Sequence, residues 1–129
     1  MNFNRTIPEL SVFDIERTKK FYRELGFKIE YERTEDKFVF MSFQDSQFMF
    51  EQIHDDGWNI GELVYPLGRG INFSIAVDDI EELYKLVNHL NIELYRELTR
   101  NIYQVNGIEE MQIEFLIQDP NGYLLRFTN

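Results

Sequence analysis

The sequence predicts an α+β fold made of two tandem βαβββ modules, and three observations carry that prediction. Two amphipathic helical patterns stand 65 residues apart, each is flanked by segments alternating apolar with polar residues, and each half of the chain ends in a hairpin pattern. The 129 residues suit a single domain, with residues 1–53 and 71–129 as the modules and residues 54–70 as a linker.

Ile7, Glu9 and Ser11 alternate with Pro8, Leu10 and Val12 as a first strand. Ile15, Thr18, Phe21, Tyr22 and Leu25 then fall at helical spacing, opened by Asp14 as N-cap and stopped by Gly26. Phe27, Ile29 and Tyr31 form a short strand, and Lys37 to Gln44 turns at Asp45-Ser46 into Gln47 to Ile53. A linker from His54 to Gly70 follows, rich in glycine and carrying Pro66. The second half repeats the order. Ile71, Phe73, Ile75 and Val77 alternate as a strand, and Ile80, Leu83, Leu86, Val87 and Leu90 form a helix with Asp79 as N-cap, Glu82 as its capping-box partner and Asn91 as stop. Ile92 and Leu94 continue as a strand, and Met111 to Asp119 turns at Pro120-Asn121 into Gly122 to Thr128. The helices keep one offset, since 80 − 15 and 91 − 26 both equal 65, whereas 126 − 51 = 75 for the closing strands. Ten extra residues therefore fall within Glu97 to Glu110.

One helix covers one face of each sheet, which leaves the opposite faces to line a cleft. With Asp45 and Ser46 as loop residues, Phe40 stands opposite Glu51, so Phe38, Phe40, Ser42, Met49, Glu51 and Ile53 share the cleft face. The same count about Pro120-Asn121 adds Ile113, Phe115, Ile117, Leu124 and Arg126, joined by Ile7, Asn72 and Ser74. Phe48, Phe50, Leu116 and Leu125 are expected beneath the helices.

Composition narrows the chemistry. The absence of cysteine excludes a disulfide framework, a zinc-thiolate site and a thiol nucleophile, and it suits a reducing compartment, the cytoplasm. The start MNFNRTIPEL lacks the basic stretch and apolar run of a signal peptide, and no window reaches the ~20 apolar residues of a membrane helix. A net charge of −10 repels phosphate backbones and argues against nucleic acid. The same acidity either keeps the chain soluble or attracts a cationic ligand. Twelve Phe and seven Tyr serve a core or offer stacking surfaces to a flat ligand. No serine has a histidine placed for a triad, and no glycine-rich phosphate loop is present. His89 ends the second helix facing solvent, and His54 opens the linker beside Asp55 and Asp56. Trp58, the sole tryptophan, is either a small-cluster anchor or a lid, and Tyr103 in the extra segment is a similar candidate.

Asp14-Ile15-Glu16 through Phe21-Tyr22 to Leu25-Gly26-Phe27 resembles the opening pattern of the vicinal-oxygen-chelate superfamily, and Asp119-Pro120-Asn121-Gly122-Tyr123 resembles its closing turn. The resemblance spans nearly the whole chain, includes the duplication, and is closest to the bleomycin-resistance proteins. It implies a glyoxalase/bleomycin-resistance fold with a cleft between curved mixed sheets, and a homodimer. Most enzymes of the superfamily, such as glyoxalase I and the extradiol dioxygenases, hold a divalent metal, whose ligand positions the resemblance carries to Ile7, Glu51, Asn72 and Arg126. Only Glu51 ligates well, and Arg126 puts a fixed cation where the metal belongs, so neither metal, cofactor nor catalytic residue is expected. Glu51 and Arg126 either pair across the cleft or are satisfied separately. The expected function is metal-independent binding and sequestration of a small molecule, an antibiotic of planar cationic type. Phe38, Phe40, Glu51, Trp58, Asn72, Tyr103, Ile113, Phe115 and Arg126 are its candidate contacts. The alternatives are a divergent glyoxalase, lyase or dioxygenase, and a dimeric interaction module with no ligand of its own; neither nucleic acid nor membrane is an expected partner.

Overall fold

The computed structural model describes residues 2–129. The chain forms two compact units, Met1–Tyr65 and Pro66–Asn129, divided inside the segment read as a linker. The first holds β1 (Glu9–Val12), α1 (Ile15–Glu24), β2 (Lys28–Arg33), a 3₁₀ turn (Thr34–Asp36), β3 (Phe38–Phe43) and β4 (Ser46–Gln52). The second holds β5 (Asn72–Ala76), α2 (Ile80–His89), β6 (Leu94–Val105), β7 (Ile108–Gln118) and β8 (Leu124–Thr128). The sheet orders are β1-β4-β3-β2 and β5-β8-β7-β6. In each, the first strand lies parallel to the last and the remaining pairs are antiparallel, so both sheets are mixed, as two βαβββ modules require. Among the described residues no helix is long and apolar enough to cross a membrane.

Both helices begin and end as their sequences dictate. The Asp14 carboxylate accepts from the amides of Glu16 and Arg17, and that of Asp79 from the amide of Glu82, satisfying amides that the first turn leaves without intrahelical partners. At the other end Gly26 (φ +108°) and Asn91 (φ +58°) adopt left-handed conformations. The Gly26 and Phe27 amides donate to the Arg23 and Tyr22 carbonyls, and those of Asn91 and Ile92 to Asn88 and Val87. Each helix thus ends in the same Schellman motif, and Tyr22 packs on Phe27 at 5.1 Å to seal the first.

The helix-side face of each sheet is the core. In the first unit Leu10, Val12, Val39, Met41, Phe48 and Phe50 are buried, and the Tyr22 ring of α1 lies 4.6 Å from that of Phe50. The hairpin turns at Gln44-Asp45 rather than Asp45-Ser46, and Phe38 pairs with Glu51 and Phe40 with Met49. This register differs by two residues from the sequence expectation, and a strand repeats every two, so each side chain keeps its expected face.

The second hairpin corrects the sequence reading. Its loop is Pro120-Asn121-Gly122, closed by the Asp119 amide donating to the Tyr123 carbonyl, and Gly122 sits at φ +103°. Three loop residues instead of two shift the register by one, so Ile117 pairs with Leu125 and Phe115 with Phe127, all four buried. Phe115 packs on Tyr84 of α2 at 5.1 Å. Ile113, Phe115 and Ile117 therefore face the helix, whereas Leu116, expected beneath it, shares the opposite face with Arg126.

Core placement predicts a contrast within β4. Phe50→Ala should lower the unfolding free energy by about 3–5 kcal/mol. Its neighbour Met49→Ala, on the open face, should lower it by no more than about 1 kcal/mol. Urea denaturation of both variants measures the two losses, and the reverse order would mean that the faces are exchanged.

Candidate functional site

The open face of the first sheet, opposite α1, gathers residues from all four strands. A bulge between Ile29 and Tyr31 rotates the end of β2, so that Tyr31 pairs with Phe40 and Arg33 with Phe38. Glu9 of β1 and Met49 and Glu51 of β4 share that face, because Glu9 pairs with Met49 and Phe38 with Glu51. Beyond β4 the chain supplies His54, Asp56 and Trp58, and together these residues line a pocket of about 280 Å³.

The pocket has an aromatic floor. Tyr31 lies 5.9 Å from Phe38 and 5.4 Å from Phe40, and the Arg33 guanidinium sits 4.0 Å over the Phe38 ring. Phe40 was expected to touch a ligand, but it is 0% exposed, with Phe3 packed on it at 5.4 Å. It lies on the same face beside the floor, covered by Phe3. Trp58 is 96% exposed, its indole at the pocket's edge and otherwise in solvent.

The acidic wall is a linked set of groups. His54 Nε2 lies 3.3 Å from Glu51 Oε1. The Asp56 amide donates to His54 Nδ1, so the proton of the neutral ring sits on Nε2, facing the carboxylate. Glu9 is held above the ordinary carboxylate value, first by desolvation of its carboxyl and then by the charge and hydrogen bond of Glu51, against the pull of Arg33. A second hollow of about 400 Å³ lies at the start of α1, where Lys19 already binds Glu16 at 2.9 Å and Glu32 at 3.0 Å. Its charge is matched by the fold itself.

Of the residues singled out in the sequence, Phe38, Glu51 and Trp58 meet at this pocket. Asn72 and Arg126 share the open face of the second sheet, where Arg126 Nε donates to Asn72 Oδ1 at 3.1 Å and Nη1 reaches Glu114 at 3.4 Å. Ile113 and Phe115 face α2 instead of a ligand, the consequence of the odd loop. Tyr103 lies on the outer part of β6, paired with Glu110, beyond the reach of β8.

The metal positions of the resemblance also move. Leu10 and Ile75, 65 residues apart, are both buried, and their parallel partners are Phe50 and Phe127, an offset of 127 − 50 = 77 instead of 75. Met49, not Glu51, thus corresponds to Arg126, and the four positions become Ile7, Met49, Asn72 and Arg126. An aliphatic chain, a thioether, an amide and a bonded guanidinium do not fit a divalent cation. Among the described residues no group of three His, Asp or Glu side chains converges to hold one.

Sequence reasoning missed Glu9, Tyr31 and Arg33. Glu9 was within reach, since it alternates with Leu10 and Val12 on the side assigned to Ile7. Tyr31 and Arg33 were not, because without the bulge the alternation that starts at Ile29 sends both towards the helix.

Residues 3–127 match the family model described as the Glyoxalase/Bleomycin resistance protein/Dioxygenase superfamily. Among solved structures, a member of that superfamily from Vibrio splendidus 12B01 is 36% identical over 93% of both chains, with a TM-score of 0.44. A glyoxalase/bleomycin resistance protein/dioxygenase from Alicyclobacillus acidocaldarius is 26% identical, covering 97% of this chain and 89% of its own, with a TM-score of 0.67. A bleomycin resistance determinant encoded on the transposon Tn5 is 21% identical over 98% of both chains, also at 0.67. No curated protein matches the chain.

The raised Glu9 carboxyl has a signed consequence. A carboxyl held above its unfolded value favours the fold when protonated, and that contribution is lost as pH rises through the raised value. Glu9→Gln should therefore melt about 1–2 °C above the wild type at neutral pH, a small gain because the repulsion is screened by solvent. The gain should vanish below the ordinary value of 4.5. Thermal melts across pH 4 to 8 measure it.

Proposed function

The chain belongs to the Glyoxalase/Bleomycin resistance protein/Dioxygenase superfamily, and from that premise we propose that it binds and sequesters a small, planar, cationic molecule without a metal ion. One observation carries the reading: the pocket on the first sheet joins the aromatic side chains of Tyr31 and Trp58, above a Phe38 ring that is buried and covered by Arg33, to the carboxyl groups of Glu9, Glu51 and Asp56. A flat ring stacks on the aromatic surfaces while its positive charge faces the acids, and the net charge of −10 concentrates cations around the whole chain. At about 280 Å³ the pocket accepts a ring system rather than a whole glycopeptide. The likeness to a bleomycin resistance determinant suggests a cationic bithiazole as the first compound to try. The reading includes a cytoplasmic homodimer.

The test is titration of a bleomycin-type bithiazole into metal-free protein, followed by calorimetry and by Trp58 fluorescence. Binding is expected without added metal and should weaken as salt rises. Trp58→Ala and Tyr31→Ala should each weaken it about two- to tenfold, the worth of one aromatic contact. No heat and no fluorescence change at millimolar ligand would overturn the drug-binding reading and leave the fold untouched.

A further inference from the structure

With the closing strands 77 residues apart and the helices 65, the second module has twelve extra residues, and most of them extend β6 and β7 into a two-stranded ribbon that outruns the sheet. β8 pairs with β7 from Glu114 to Gln118, and Asn129 continues the contact to the Ile113 and Met111 backbone; from Ile108 to Glu110 the strand paired with β7 is β6, and β6 is the outermost strand of its sheet. Both sides of the ribbon carry exposed apolar residues. Ile102 (60% exposed) and Met111 share one side, and Tyr103, Val105 and Ile108 (63% exposed) the other.

We propose that the outer edge of β6, from Thr99 to Val105, is the surface through which two copies of this chain pair, strand to strand and antiparallel, into a closed two-fold dimer. The proposal gives the homodimer of the preceding section a location.

Three features identify the occupant as a second copy. First, the edge is a row of backbone donors and acceptors without the usual protection: residues 98–108 contain no proline and no lysine, and their one charge, Arg100, is bound to Glu81 of α2. Secondly, the chain has 23 acidic residues and repels its own copies, yet these eleven positions hold no carboxylate. Residues 63–77 are also free of carboxylates, but within 98–108 the acid-free positions coincide with the outer strand of a sheet, an edge to which a second strand can be added. Thirdly, the sequence is self-complementary about Ile102. Antiparallel pairing centred there sets Ile102 against itself, Tyr103 against Asn101, Gln104 against Arg100 and Val105 against Thr99 of the other copy. No like charges face each other, and β-branched and aromatic side chains sit in cross-strand contact. Such a contact uses the same surface twice and closes at two chains.

The experiment is sedimentation of the whole protein from micromolar to millimolar concentration. Wild type is expected at twice the chain mass of 15.6 kDa. The double variant Ile102→Glu/Val105→Glu places carboxylates at the centre and flank of the pairing. It should raise the dissociation constant by on the order of a hundredfold or more and run at the chain mass. Both side chains are exposed, so the circular dichroism spectrum should be unchanged. Hydrogen exchange on the wild type supplies a readout independent of folding: amides within residues 99–105 should lose protection on dilution. Wild type at the chain mass throughout would overturn both the surface and the homodimer. A dimer that survives the double substitution, or exchange in residues 99–105 that ignores concentration, would overturn the surface alone. None of these outcomes touches ligand binding, which is read at Trp58 in the other module.

Discussion

The face a side chain presents on either sheet is set by the parity of the turn that joins its strand to the next, because strand side chains alternate with a period of two. Between β3 and β4 an even, two-residue turn sends Val39, Met41, Phe48 and Phe50 to α1. Between β7 and β8 an odd, three-residue loop does the same for Phe115, Ile117, Leu125 and Phe127 under α2. That odd loop is held in place. The Asp119 carboxylate accepts from the Asn121 and Tyr123 amides, and a Cβ on Gly122 would stand 2.6 Å from Pro66 and 2.9 Å from the Leu67 amide nitrogen. With φ at +103° and no room for a side chain, only glycine suits the position, and the register of β8 follows.

Parity also explains what the sequence disclosed. Helices show themselves locally: Asp14 and Asp79 cap, Gly26 and Asn91 stop, and the apolar spacing between them marks the buried stripe. The strand faces depend on turns, and a turn placed one position away reverses a whole strand, which is why Phe115, a ligand contact by the sequence count, belongs to the core, and Ile113 shares its face. The misplaced first turn did no such damage, since its register differed by two. A bulge is harder still. Nothing in Ile29-Glu30-Tyr31 announces that Glu30 is the extra residue, yet Tyr31 and Arg33 reach the pocket only because it is.

The duplication has diverged most on the open faces. Across the corresponding positions Glu9 stands against Ser74, Met49 against Arg126 and Glu51 against Thr128, by the parallel ladders of the two sheets. On the second sheet the Arg126 cation is answered by Glu114 and Asn72. On the first, Glu9 and Glu51 are placed as like charges on neighbouring strands, with Arg33 opposing the effect on Glu9 and His54 3.3 Å from Glu51. Two carboxyls arranged at mutual cost, beside an aromatic floor, contribute less to the fold than almost any apolar or amide pair would. Under the proposed function, binding of a cation there would relieve that repulsion, so the feature that weakens the free protein would favour the complex.

The acidic surface links the pocket to the ribbon through one electrostatic fact. A net charge of −10 concentrates cations around the chain and, by the same field, repels its own copies. Self-association under that field requires a stretch of surface from which carboxylates are missing, and the outer strand of the ribbon supplies one, with Glu109 and Glu110 placed on the inner strand instead. The extra residues thus add length to β6 without adding negative charge to its outer edge. An insertion serving only as a solvated loop has no need of eleven acid-free positions, alternating strand formers and an unprotected backbone edge together. Their coincidence on one strand gives the insertion a physical role that the shared fold does not require.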